Sequence, residues 1–175
     1  GYIWLGMGEG DGLSRLNPET GDFTPYQHNS QDSSTLTSGA IWHLAEDRNG
    51  NIWVGTMGGG LDRLDPKTGI IQHHVHDPDD PQSLANNNIG GILEDRDGNI
   101  WIGTGRGGLS LFDPESHAFI NYQNDPNDLE SINDNYIYSI YEDRSGIIWI
   151  GTNSGGINYF NPSMNAFEHY KNDPR

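Results

Sequence analysis

The chain has no cysteine in its 175 residues. That absence excludes a disulfide framework, a thiol nucleophile and a thiolate metal site, and it leaves the compartment open. Cations are scarce: nine Lys and Arg stand against 25 Asp and Glu, for a formal net charge of −16. Nucleic acid and anionic membranes are held by clustered cations, so neither is expected as a partner. No apolar run approaches ~18 residues, and no segment reads as a membrane-spanning helix. Amphipathic helical runs are missing as well. Hydrophobic residues make up only 33 % of the chain, low for one compact core, while 24 Gly and 9 Pro supply turns. Such a composition is all-β.

What is present is a repeat. EDRDGNIWIGTGRGGLSLFDP (Glu94 to Pro114) has counterparts in EDRNGNIWVGTMGGGLDRLDP (Glu46 to Pro66) and EDRSGIIWIGTNSGGINYFNP (Glu142 to Pro162). A fourth copy, GYIWLGMGEGDGLSRLNP, opens the chain already cut into. It reads as part of a longer array, so the lack of a signal peptide excludes nothing. Trp4, Trp53, Trp101 and Trp149 mark the period, at spacings of 49, 48 and 48 residues. Periods of this length mean stacked units that cannot bury their cores alone. The repeats fall at about 1–38, 39–86, 87–134 and 135–175, one array over 1–175.

Each unit reads as four short strands. The first carries Ile41, Leu44 and Glu46, or Ile89, Ile92 and Glu94, or Ile137, Ile140 and Glu142. Asp95-Arg96-Asp97-Gly98 is a tight turn, in which Asp bonds its own downstream backbone and Gly accepts a positive φ. Strand two runs from Asn99 to Thr104, strand three from Leu109 to Asp113, and Asp113-Pro114 opens a second turn. Strand four holds Phe119 and Tyr122, and their spacing of three predicts a bulge or bend there. A polar connector follows. Its one recurrent apolar residue (Leu36, Leu84, Ile132) predicts a loop pinned to the core. Four antiparallel strands per unit with an aromatic on strand two predict a β-propeller of about four blades, the first lacking its first strand. The aromatic would fill the space between blades.

The string E-D-R-x-G-N-I-W-I-G-T, followed by G-G-L and D-P, resembles the two-component regulator propeller repeat across essentially the whole chain. In that family the repeats form the extracytoplasmic sensor region of hybrid histidine kinases and some diguanylate cyclases. The resemblance implies a periplasmic or extracytoplasmic, non-catalytic sensing module for signal transduction, with oligosaccharides as the ligand class. The chain holds no kinase or cyclase portion. Alternatives are a purely structural or dimerising module and a propeller enzyme like the streptogramin lyases, whose repeats are related. An open array leaves sheet edges exposed, so the expected partners are further copies of the chain or the remaining blades of a larger receptor.

Several constellations invite chemistry. Asp95-x-Asp97-Gly98-Asn99 begins like a calcium loop, but strand residues follow where further oxygen ligands are needed. His73, His74 and His76 suggest a metal, yet His74 takes a packing position of an outer strand, where other repeats have Tyr, while His73 and His76 align with His169 and His28, and no metal or cofactor site is expected. The loops GTMGGG, GTGRGG and GTNSGG lack the helix or Lys-Ser/Thr of a phosphate loop. Residues that vary within these loops, Glu9, Asp11, Met57, Arg106 and Asn153, suit either a grafted binding site or unconstrained surface. On strand one Trp42 and His43, Gly90 and Gly91, and Tyr138 and Ser139 differ between blades. Aromatics there suit stacking on sugar rings or filling a seam. The candidate ligand contacts are Trp42, His43, Met57, Arg106, Tyr138 and Asn153.

Overall fold

The computed structural model describes residues 1–8, 10–161 and 166–170. Glu9, one of the variable loop residues, and the side chain of His169 lie outside the described residues. Among those described there is no helix; the chain forms fifteen strands in antiparallel meanders. It divides into two compact units, residues 1–75 with 87–89, and residues 76–86 with 90–175.

The first unit holds two sheets. β1 (Ile3–Gly6), β2 (Leu13–Leu16) and β3 (Phe23–Tyr26) make a three-stranded sheet in that order. β4 (Ile41–Glu46), β5 (Ile52–Thr56), β6 (Leu61–Leu64) and β7 (Ile71–His74) make a four-stranded one. Leu13, Leu36, Ile41, Ile52, Val54 and Leu64 form one buried cluster, with Trp4, Tyr26, Leu44 and Ile71 packed against it. The sheets therefore meet through alternate strand positions, as period-two strands require. At β1 the ring of Trp4 lies 5.6 Å from Tyr26.

In the second unit, which takes in β8 (Ile89–Glu94) from Gly90 on, that strand, β9 (Ile100–Thr104), β10 (Gly108–Asp113) and β11 (Ala118–Tyr122) make one sheet. β12 (Ile137–Glu142), β13 (Ile148–Thr152), β14 (Ile157–Asn161) and β15 (Ala166–Tyr170) make the other. Trp101, Leu109, Ile132 and Ile137 share a buried cluster with Ile148, Ile150, Phe160 and Phe167. Trp101, 2 % exposed, lies 5.4 Å from the ring of Phe160. The aromatic of strand two thus does fill the space between neighbouring blades.

The turn chemistry is local and repeated. Gly50 and Gly98 sit at φ 82° and 91°, and their amides donate to the carbonyls of Asp47 and Asp95. One Asp oxygen also accepts the amides two and four residues on, Asn49 and Asn51 from Asp47, Asp97 and Asn99 from Asp95. An Asx cap of this kind holds the hairpin between strands one and two. The connectors are pinned, with Leu36, Leu84 and Ile132 at 1 %, 0 % and 0 % exposure.

One expectation is corrected. Strand four carries no bulge: β10 and β11 pair in unbroken register from Leu109↔Tyr122 to Asp113↔Ala118. A spacing of three simply puts two residues on opposite faces of a straight strand. Phe119 packs on Phe112 at 5.4 Å, while Tyr122 turns to Trp101 and Phe167. The bulge belongs to strand one. Register shifts between Ile41 and His43, and between Ile137 and Ser139, leave Trp42 and Tyr138 as the extra residues.

Candidate functional site

The residues that suggested metal or phosphate chemistry have structural partners. In the calcium-like turn one Asp95 oxygen takes the amides of Asp97 and Asn99, and the other takes Asn99 Nδ2 at 2.8 Å and Trp101 Nε1 at 2.8 Å. His73, His74 and His76 serve three separate contacts. His74 stacks on Trp53 at 5.9 Å. His76 Nδ1 donates to the Leu84 carbonyl at 2.8 Å, as His28 does to Leu36. His73 lies between Asp62 and the Ser33 carbonyl. Among the described residues no three His, Cys, Asp or Glu side chains converge as metal ligands. In the glycine loops Thr56 and Thr104 close the turn, each hydroxyl donating to the carbonyl four residues on and accepting the amide three residues on.

The candidate ligand residues lie at one end of their sheets, where the loop after strand two meets the start of strand one. In the first unit the Met57 amide donates to Ala40 at 2.9 Å, and Met57 bridges to Asn88. Met57 is 49 % exposed and Trp42, at its bulge, 53 %. A bulge leaves its extra residue out of the ladder and re-aims its side chain. His43 is half-buried and pairs with Gly55; burial pushes its imidazole below its ordinary value, toward the neutral form.

In the second unit Gly105 bridges to Tyr136, and the Asn153 amide donates to the Tyr136 carbonyl at 3.0 Å. Gly105, the residue before Arg106, and Asn153 thereby both pair with Tyr136, a residue that the sequence pattern did not single out. The ring of Tyr136 lies 4.8 Å from that of Tyr138, which is 48 % exposed at its bulge. Asp134 supports the arrangement. One of its oxygens accepts the Tyr136 amide, and the other accepts both the amide and the hydroxyl of Ser154. Burial pushes the Asp134 carboxyl up, but the bonds from Ser154, Tyr136 and Gly155 outweigh it and hold it below its ordinary value. The signal for Tyr136 was available in the sequence: it aligns with Ala40 and Asn88, so its position varies between repeats, as those of Trp42 and Tyr138 do.

Arg106 differs from the other loop candidates. Met57, Gly105 and Asn153 occupy equivalent positions; Arg106 stands one residue on, aligned with Gly58 and Ser154. Its backbone is at φ 82°, close to the 83° of Gly58, and it is exposed. A non-glycine residue in that region carries a steric cost, and such outliers gather at functional sites. The surface at Tyr136 thus combines the tilted pair of phenol rings with the backbone of Asn153 and of Gly105, the residue before the exposed Arg106. It can bind a polar ring by stacking, by hydrogen bonds from the phenols and by an ionic contact from the guanidinium.

Residues 35–58, 83–106 and 131–154 each match the family model described as two component regulator propeller. No curated protein matches the chain. Among solved structures, the extracellular domain of a protein described as a hybrid two component system of B. thetaiotaomicron is 28 % identical, over 95 % of this chain and 21 % of its own, with a TM-score of 0.77. The extracellular domain of another protein of that organism, described as a one component system, is 26 % identical, over 97 % and 20 %, with a TM-score of 0.70. A catalytically inactive virginiamycin B lyase from Staphylococcus aureus, in complex with quinupristin, is 18 % identical, over 99 % and 53 %, with a TM-score of 0.72. At that identity the likeness bears on fold alone. The chain spans about a fifth of the length of the two extracellular domains. These likenesses and the meander sheets together establish the fold as β-propeller, in four-stranded blades of which the first lacks its first strand.

Proposed function

Three stretches of the chain match the two component regulator propeller model, and from that premise we propose that it is a non-catalytic, ligand-contacting segment of the extracytoplasmic sensor region of a two-component-type signalling receptor. The similar extracellular domains described for two component and one component systems support this reading. Its partners are then the remaining blades of such a receptor or a second copy of the chain. β1 stands at a sheet edge with Tyr2 and Ile3 about half exposed, as a strand awaiting a neighbour would.

The ligand class that fits best is an oligosaccharide, and the observation that carries it is Arg106. This residue sits at a backbone angle that its counterpart Gly58 adopts without strain, one position after Gly105, which bridges to Tyr136 of the Tyr136–Tyr138 pair. Trp42, His43 and Met57 would offer the corresponding contacts in the first unit, and Asn153 its side-chain amide in the second. The test is a thermal-shift and calorimetric screen of the whole chain against neutral and acidic oligosaccharides, repeated with Arg106→Gly and Tyr138→Ala. An oligosaccharide that raises the melting temperature of the parent but of neither variant supports the assignment. A screen without a shift, or shifts that survive both substitutions, would overturn it.

A further inference from the structure

His73 has an acceptor on each side. Its Nδ1 lies 2.7 Å from Asp62 Oδ1 on β6, and its Nε2 lies 2.8 Å from the Ser33 carbonyl on the connector that follows β3. A carbonyl and a carboxylate can only accept, so both contacts are hydrogen bonds only when both ring nitrogens carry protons. Asp62 completes the link. It is fully buried, and its second oxygen accepts the amide of Thr37 at 2.8 Å and the hydroxyl of Thr37 at 3.0 Å. The connector is thus fastened at Ser33 and at Thr37 through one Asp–His pair.

The blade from β8 to β11 makes the same attachment without a titratable group. Ser110 stands where Asp62 does and Asn121 where His73 does. Ser110 Oγ accepts the Ala85 amide at 3.3 Å and donates to Asn121 Oδ1 at 2.6 Å, while Asn121 Nδ2 donates to the Pro81 and Ser83 carbonyls. Pro81 is the 48-residue counterpart of Ser33. A carboxamide is a donor at every pH; an imidazole flanked by two acceptors is a double donor only while charged.

The geometry points to a pH-operated latch: the His73 imidazolium holds the connector of residues 29–37 onto β7, and loss of its proton frees the Ser33 end. The titratable groups facing His73 are few. Asp62 bonds it directly from β6, His28 and Asp32 line the same cleft of about 370 Å³ from the connector, and His74 follows it on β7. Asp32 is occupied by the amide and hydroxyl of Ser34, and His28 by the Leu36 carbonyl. Burial draws the His73 ring down, but the bonds to Asp62 and Ser33 and the Asp62 charge outweigh it, leaving it above its ordinary 6.5. Because the folded value is raised, the latch is fully closed below the unfolded value and opens as pH rises through the folded one.

The test is amide hydrogen exchange of residues 29–37 in the whole chain, corrected for intrinsic rates, from about pH 6 to about pH 9, with nitrogen chemical shifts of the His73 ring recorded in parallel. Protection of this segment should fall about tenfold across the titration of His73, the worth of one charge-assisted hydrogen bond. The double variant Asp62→Ser with His73→Asn copies the Ser110–Asn121 arrangement. It should keep the protection and lose its pH dependence. Protection that is flat with pH in the parent, or that still falls in the double variant, would overturn the latch, as would a ring protonated on one nitrogen only at about pH 6.

Discussion

The indole Nε1 of Trp101 donates to Asp95 Oδ2 at 2.8 Å, across a hairpin whose turn the other oxygen of Asp95 caps. Trp53 with Asp47 and Trp149 with Asp143 make the same bond at 3.0 Å and 2.9 Å. One carboxylate therefore ties the turn between strands one and two to the side chain that seals the seam between blades. Turn and core are specified by residues six apart, which is why the motif recurs as a block.

Removing the ring of Trp101 should be costly. Trp101→Ala loses the ring contacts with Phe160 and Tyr122 and leaves a cavity; the expected loss is about 3–5 kcal/mol in denaturant unfolding. Trp101→Phe keeps one aromatic ring but removes the Nε1 donor to Asp95 together with part of the indole, for about 1–3 kcal/mol. A Phe variant as unstable as the Ala variant would show that the part of the indole carrying the donor, rather than the remaining ring, dominates.

Two non-glycine residues adopt φ values that glycine takes elsewhere in the array. Arg106 at 82° matches Gly58, and His117 at 58° matches Gly69 in the turn after strand three. Arg106→Gly and His117→Gly should each raise stability by up to about 1 kcal/mol by relieving the left-handed strain. Only Arg106→Gly should weaken the proposed oligosaccharide binding, since His117 lies at the opposite end of its sheet. Equal effects of both substitutions on binding would remove Arg106 from the site.

Strand periodicity, both turn types and the buried positions of Leu36, Leu84 and Ile132 could be read from the sequence because each rests on local chemistry repeated every 48 residues. The bulges at Trp42 and Tyr138 could not. They arise from pairing with the neighbouring strand, and a spacing of three on strand four mimics the same signal. The candidate site was legible in part. Variation between repeats at Trp42, Met57, Tyr138 and Asn153 marks the loop-bearing end of the sheets, whereas the place of Tyr136 between Gly105 and Asn153 depends on contacts between blades. The Asp62–His73 pair was hidden for a similar reason: the carbonyl that reveals the role of His73 belongs to Ser33, forty residues away.

Gly90 and Gly91 look interchangeable in the sequence and are not in the fold. A Cβ on Gly90 would drive into the carbonyl of Ile137, where β8 and β12 approach. A Cβ on Gly91 would meet only ordinary contacts, the nearest 3.5 Å away at the Ile140 amide. Gly90→Ala should cost about 1–3 kcal/mol or more, because backbone must move. Gly91→Ala should be neutral or stabilise by up to about 1 kcal/mol, since alanine restricts the unfolded chain. Thermal melts of the two variants decide the matter, and a Gly90→Ala protein as stable as the parent would place β8 and β12 further apart.

Acid should unfasten the turn-to-tryptophan tie. Burial pushes the Asp47 carboxyl up, but hydrogen bonds from Asn51, Trp53 and Asn49 outweigh it and hold it below the ordinary 3.8. A depressed folded value means that the carboxylate contributes stability that is complete above the unfolded value and vanishes as pH falls through the folded one. Many carboxylates titrate in that range, so the informative quantity is the difference between the parent and Asp47→Asn. At about pH 7 the parent should be the more stable, because the asparagine replaces a charged acceptor of several donors by a weaker one. That gap should narrow steadily below about pH 4 and close once Asp47 is protonated in the folded protein. A gap independent of pH would mean that the carboxylate charge has no part in holding Asn51 and Trp53, and that the shape of the side chain alone sets the turn.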